Sequence, residues 1–198
     1  MKRPILIVVC GPNGSGKTTI TRKILKHEWL DSATYINPDE IANTIFGDWN
    51  SPEAIINAAN YAKEQRYRLL EERKSIIFET VLSSSEKIDF TLKAKELGYF
   101  IRIFFVCTDS PTINASRIAK RFIQGGHDVP IPKIISRYSK SIVNCAFISK
   151  FVDRLYVYDN SRENKEPTLL FRSRNGHLKK TYRNVHEWAN EIYKQLDF

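Results

Sequence analysis

Apolar and β-branched positions along this chain gather in short runs, separated by longer stretches in which they recur every three or four residues. The run ILIVVC at Ile5–Cys10 has no polar interruption and ends at Gly11-Pro12, which predicts a strand buried on both faces of a parallel sheet. A helix is expected to open near Gly16. A short strand is expected over 34–36, closed by Asn37-Pro38 because the residue before proline is driven toward extended geometry. Asp39 then stands at the C-terminal end of that strand. Ser51 and Pro52 are N-cap and first-turn signals for a long helix to about Arg73, with Ile55, Ala59, Ala62 and Leu69 spaced for one face. Strand three is expected at 75–78, a helix from Ser85 to before Gly98, and strand four at Phe100–Cys107. Ser110-Pro111 opens a helix that Gly125-Gly126 stops near Ile123, and another follows over about 132–148. Strands at 154–158 and 168–172 come last, and Asn184 with Glu187 three residues on predicts a capping box for a C-terminal helix.

Strands alternating with helices predict an α/β domain with a doubly wound, mainly parallel sheet, whose ligand crevice lies beyond the strand C-terminal ends. With 198 residues and 42% hydrophobic content, the whole chain, 1–198, is expected to form one domain around one core. Within it, about 111–149 reads as a helical lid and 168–198 as a terminal strand, hairpin and helix. The formal charge of +9 suits a partner rich in phosphate: a nucleotide, a sugar nucleotide or a nucleic acid. The cysteines are three in number, far apart and without a CxxC, so neither a disulfide framework nor a zinc site is indicated and a reducing cytoplasm is the expected location. No stretch reaches the roughly 20 apolar residues of a membrane span. The first apolar run leads straight into a glycine-rich loop, as a core strand does and a targeting segment does not.

The chemistry concentrates in that loop. Gly11, four residues, then Gly16-Lys17-Thr18 complete G-x-x-x-x-G-K-[ST] between a predicted strand and a predicted helix. Gly11, Pro12, Asn13, Gly14, Ser15, Gly16, Lys17, Thr18 and Thr19 are therefore the expected nucleotide-binding residues. Backbone N–H groups would wrap the polyphosphate, Lys17 would reach its β and γ oxygens, and the Thr18 hydroxyl would ligate Mg²⁺. The motif holds a phosphoryl donor, ATP or GTP without distinction, and makes the fold a nucleotide-kinase-like P-loop domain.

The acceptor side must come from the other strand ends. Asp39 is suited either to deprotonate an acceptor hydroxyl or to cap its helix. Glu79, with Thr80 and the serines at 83–85, is suited either to hold a sugar or to end a strand. Arg117 and Arg121 lie one turn apart before the Gly-Gly turn, with Lys120 beside them, and could form a lid with Arg137 over the γ-phosphate or a solvated face. Residues 171–183 carry five basic residues with Phe171 and Tyr182 and no acid, a pattern open to a nucleic-acid patch but better read as a solvated hairpin. His127 and His177 lack metal-ligand spacing.

The segments GPNGSGKTT, NPDEIA, FETVLSS and RIAKRFIQGGHDVPIPKIISRY stand in the order and approximate spacing of the zeta toxin family of P-loop kinases, which this chain resembles over about 4–160. The resemblance implies that Asp39 is the base toward a sugar hydroxyl, that Glu79 and Thr80 contact the acceptor and that Arg121 is a catalytic lid arginine. It further implies UDP-N-acetylglucosamine as acceptor and a partner antitoxin. Two positions depart from the family pattern. Val81 stands where the family has a threonine, and the second lid arginine falls on His127 or, further on, Arg137. The resulting expectation is a kinase in which Lys17, Thr18 and Mg²⁺ hold the donor. The alternatives are a polynucleotide or nucleoside kinase, a P-loop ATPase without kinase activity, and a nucleotide-binding module without turnover.

Overall fold

The computed structural model describes residues 3–26, 33–47, 51–126 and 128–197. Five parallel strands, β1 (Ile5–Cys10), β2 (Thr34–Ile36), β3 (Ile76–Thr80), β4 (Phe100–Cys107) and β5 (Arg154–Asp159), are extended by β6 (Thr168–Arg174) and β7 (His177–Thr181), which run antiparallel. The order across the sheet is β2-β3-β1-β4-β5-β6-β7. Around it lie α1 (Lys17–Ile24), α2 (Pro38–Thr44), α3 (Pro52–Glu71), α4 (Ser85–Glu96), α5 (Pro111–Ile123), α6 (Ile131–Ile148) and α7 (Asn190–Tyr193). The expected α/β, mainly parallel sheet is what forms.

The two faces of the sheet are covered unequally. The larger core lies on one face, where Ala58 and Ala62 of α3, Phe90 of α4, Ile142 and Cys145 of α6 and Trp188 meet Val8, Phe78 and Phe105 of the strands. On the other face Ile20 and Ile24 of α1 cover Ile7, Val9 and Ile77 in a smaller cluster. A third, separate cluster of Ile118, Val129 and Ile134 holds the α5–α6 tip together. From Tyr138 onward α6 belongs to the large core.

Three local expectations are corrected. β3 runs on through Glu79 and Thr80, because Val9 and Cys10 of β1 stay in register with them and Gly11 N–H donates to the Thr80 carbonyl at 3.3 Å. The buried face of α3 is Ala54, Ala58, Ala62, Arg66 and Leu69 rather than one through Ile55 and Ala59. Its guanidinium member is neutralised by Glu86 at 2.9 Å and lies over the rings of Phe78 and Phe90. The Asn184–Glu187 capping box does not form. The segment instead enters a 3-10 turn, Glu187–Ala189, after His186. The hairpin expected in 171–183 does form, as β6 and β7, turned by Asn175-Gly176 with both φ positive (50° and 79°), as a tight primed turn requires.

Candidate active site

The parallel strands all end at one side of the sheet, and the loops leaving them make the site. The loop after β1 is shaped by close backbone approach. Gly11 has φ 144°, and a Cβ there would stand 1.9 Å from the Val106 carbonyl oxygen; at Gly14, φ 76°, it would stand 2.6 Å from the Asn114 oxygen. Only glycine fits either place. Gly16, φ 90°, is the N-cap of α1, whose first turn carries no acidic residue, so its positive end faces the loop uncompensated. Lys17 Nζ donates to the Gly11 and Pro12 carbonyls, each at 3.0 Å. Burial pulls its ammonium below the ordinary lysine value, while Glu79 and Asp39 act in the opposite direction.

Neighbouring strands brace this loop from outside. Asn114 on α5 donates to the Asn13 carbonyl at 2.7 Å and accepts from Thr108, whose own carbonyl accepts from Tyr138 at 2.6 Å. Asn160, following β5, donates to the Ser15 carbonyl at 2.8 Å. Neither Asn114 nor Asn160 was singled out from the sequence. An isolated asparagine after a strand or inside a helix carries no pattern of its own.

On the acceptor side, Asn37 caps α2 by accepting from the Asp39 N–H at 3.0 Å. The cap role open to Asp39 is thus taken by its neighbour, and the Asp39 carboxylate is left exposed beside the crevice, acting electrostatically on both Lys17 and Arg137. Glu79 is 7% exposed. Its two oxygens are divided between the crevice walls: Tyr35 donates to Oε1 at 2.9 Å and Thr18 to Oε2 at 3.5 Å. Asn37 donates in turn to the Tyr35 hydroxyl at 3.0 Å. Tyr35 and Asn37 were not among the sequence candidates, although Asn37 opens NPDEIA and Tyr35 stands two residues before it. The Thr80 hydroxyl is turned to its own chain, accepting from Leu82 N–H at 3.3 Å.

The expected lid arginines stand apart. Arg121 is exposed in the last turn of α5 and its charge acts on Lys17. Arg137 on α6 is half-buried and donates to Asn13 Oδ1 at 3.2 Å, which places it on the phosphate loop. Its guanidinium is pulled below the usual value by burial and supported by Asp39. His127 lies outside the described residues. A further cluster, Asp109, Asp159 and His186, gathers its polar atoms within 4.8 Å of one another. It is satisfied internally, His186 Nδ1 sharing a proton with Asp109 Oδ1 at 2.6 Å, and it ties the C-terminal segment to the ends of β4 and β5.

Comparison with known proteins gives a consistent result. The sequence model described as "Zeta toxin" matches residues 1–175. An uncharacterised protein of Haemophilus influenzae is 28% identical over 132 residues, covering 67% of this chain and 91% of that protein. Among solved structures, one from the PezAT chromosomal toxin-antitoxin system of Streptococcus pneumoniae superposes with a TM-score of 0.65 at 17% identity, over 99% of this chain and 79% of that one. The AvrRxo1-ORF1:AvrRxo1-ORF2 complex with sulphate ions gives 0.69 at 16% identity, over 98% of this chain. This chain spans only 63% of that longer structure. Among the described residues no helix is long and apolar enough to cross a membrane.

Proposed function

This chain belongs to the zeta toxin family and is a phosphotransferase acting on a hydroxyl acceptor; from that premise we propose that it moves the γ-phosphate of ATP or GTP onto a hydroxyl of a sugar nucleotide, with UDP-N-acetylglucosamine as the leading acceptor. The observation that carries this reading is the buried Glu79 carboxylate, held between the Thr18 hydroxyl of the phosphate loop and the Tyr35 hydroxyl of the opposite wall. It joins donor and acceptor sides at one group, and a buried carboxylate there is suited to accept hydrogen bonds from a sugar.

The phosphate loop, the N-terminal end of α1 and Lys17 receive the triphosphate. The Thr18 hydroxyl, with the Glu79 carboxylate beside it, offers the hard oxygen donors that Mg²⁺ takes, and these are the residues that would hold it. When bound, Mg²⁺ neutralises charge building on the β and γ oxygens. Asp39 takes the proton of the acceptor hydroxyl as that oxygen bonds to the γ-phosphorus, and the bond to the β-bridging oxygen breaks to release the nucleoside diphosphate. Arg137 leaves Asn13 for the transferring group, and Arg121 closes with the α5–α6 tip, whose own small cluster lets it move as a unit. The lid is then narrower than 111–149, since α6 from Tyr138 onward is fixed in the core. A protein antitoxin covering the phosphate loop is part of this proposal; toxin-antitoxin partnership is stated of the PezAT neighbour.

Purified protein is incubated with Mg·ATP or Mg·GTP and a panel of UDP-sugars, nucleosides and oligonucleotides, and products are followed by mass spectrometry. A phosphorylated UDP-sugar made by wild type and lost with Lys17→Ala and Asp39→Asn supports the assignment. A phosphorylated nucleoside or oligonucleotide in its place transfers the acceptor site to the rival substrate.

A further inference from the structure

Beyond β4, the cluster under α1 extends to Tyr158 near the C-terminal end of β5, while Arg154 and Tyr156 further back along that strand are half-buried and Arg172 of β6 and Lys180 of β7 are exposed. What the strands place there is regular. Phe104 of β4 is in register with Tyr156 of β5, Tyr156 with Arg172 of β6, and Arg172 with Lys180 of β7, one rung crossing four strands on one face. The rings of Phe104 and Tyr156 stack at 4.8 Å, tilted by only 9°. A second rung opposes Arg102 to Arg154, and the guanidinium groups of Arg3, Arg102 and Arg154 all lie 5.2–5.6 Å from the centre of the Phe100 ring. At the outer edge Tyr182 lies under Arg172 at 6.0 Å and Lys180 at 4.9 Å.

The four strands contain a single carboxylate, Asp159, which is buried and hydrogen-bonded to Ser161. Like charges directly opposite each other destabilise a sheet, yet Arg172 of β6 faces Lys180 of β7. A polyanion laid across the face would relieve that pair. A second copy of the chain would add the same charges again. The aromatic rings narrow the choice further: interleaved with cations at a strand spacing of about 4.8 Å, they offer planes to flat groups tied to the anionic backbone. A duplex keeps its base faces covered, and a single strand does not.

We propose that this face of β4–β7 is a docking platform for single-stranded nucleic acid, which it holds by phosphate contacts to Arg154, Arg172 and Lys180 and by bases stacked on Tyr156 and Tyr182. Four strands give room for about two or three bases, as on other sheets that bind single strands. Binding is independent of sequence, because neither a guanidinium on a phosphate nor a ring on a base reads base edges. The platform is separate from the phosphate loop and does not depend on which acceptor the kinase uses.

The test is fluorescence anisotropy of a labelled oligo(dT) of about 12 nucleotides, titrated with the full chain at about 50 and 200 mM salt. Wild type is expected to bind more tightly than to a duplex of that length. Arg172→Ala with Lys180→Ala should weaken binding at least tenfold and lower the slope of log affinity against log salt by about 2, roughly one per lost phosphate contact. Tyr156→Ala should weaken it by about five- to a hundredfold with little change in slope, while Tyr156→Phe, which keeps the ring, should bind as wild type does. Lys17→Ala should bind the oligonucleotide unchanged, and retained Mg·ATP binding by the Arg172, Lys180 and Tyr156 variants confirms that they are folded. The proposal is overturned if wild type binds no oligonucleotide, if these variants bind as tightly as wild type, or if Lys17→Ala abolishes binding. Vesicles of phosphatidylserine captured through the same residues while oligo(dT) is not would also overturn it.

Discussion

The Tyr35 hydroxyl donates to Glu79 Oε1 at 2.9 Å, and burial, reinforced by the Glu79 charge, pushes the phenol well above its ordinary value. Tyr35 therefore remains a donor across the working pH range and keeps a buried carboxylate oriented. Tyr35→Phe withdraws one hydrogen bond from a charged, buried group, a loss of about 1.5–3 kcal/mol, so the acceptor KM should rise by roughly ten- to a hundredfold while nucleotide affinity changes little. Steady-state kinetics with each substrate varied in turn measures the two effects separately.

Asn37 rather than Asp39 caps α2, which leaves the Asp39 carboxylate exposed beside the crevice. Asp39→Asn should lower kcat by about 10² to 10⁴ with the Kd for Mg·ATP within a factor of a few, the range in which a single proton-transfer group contributes. An equal fall in nucleotide affinity would place Asp39 on the donor side instead. Asn37→Ala, by contrast, should cost about 1 kcal/mol of stability through the lost cap, visible as a lower Tm.

Arg137 rests on Asn13, so its role separates from that of simple charge. Arg137→Ala should lower kcat by about 10² to 10³ with a small effect on Kd for ATP, and Arg137→Lys should recover only part, because the planar fork is lost. Single-turnover measurements with saturating ATP read this without interference from product release.

Gly11→Ala forces a Cβ to within 1.9 Å of the Val106 carbonyl oxygen, a backbone atom that cannot turn aside. The loop must open, and nucleotide binding measured by calorimetry should be lost. Gly47→Ala is the matched control, since no heavy atom lies within 4 Å of a Cβ there, although its φ of 77° carries a strain of roughly 1 kcal/mol.

The three thiols are buried, and burial pushes each of them up, Cys107 to about 12. A folded value above the unfolded value of about 8.5 means that the stability these groups contribute is fully present below about pH 8.5 and is lost as pH rises toward the folded value. Thermal melts between pH 8 and 11 should fall accordingly, and a thiol reagent at pH 8 should label the native protein only as fast as it unfolds.

Most of the architecture could be read from residue pattern because local and global signals agree: the apolar runs gave β1 and β4, and the Pro and Gly boundaries gave α3 and α5. The failures have physical causes. Glu79 and Thr80 look like a loop, and only pairing with Val9 and Cys10 keeps them in β3. Arg66 would be assigned to solvent from its type, and only Glu86 and two rings permit its burial. Asn184 has the spacing of a cap, but contacts from distant parts of the chain, His186 to Asp109 and Trp188 to the core, decide where the terminal turn begins. The donor half of the site was legible because a glycine-rich loop has one purpose at that spacing. Asn13, Asn114, Asn160 and Arg137 form a network that crosses four separate segments, and no single window of sequence contains it.

That network also bears on how the protein meets its nucleotide. Asn160 and Asn114 grip the carbonyls of Ser15 and Asn13 from the end of β5 and from α5, so the loop's shape is set when these elements assemble. The disorder that a floppy loop would surrender at each encounter has already been surrendered once, in folding. Association should then be fast and simple, without a slow rearrangement. The same coupling works in reverse: damage at Thr108 or Tyr138, neither of which needs to touch a phosphate, would be felt as weaker nucleotide affinity, because those residues hold Asn114 in place.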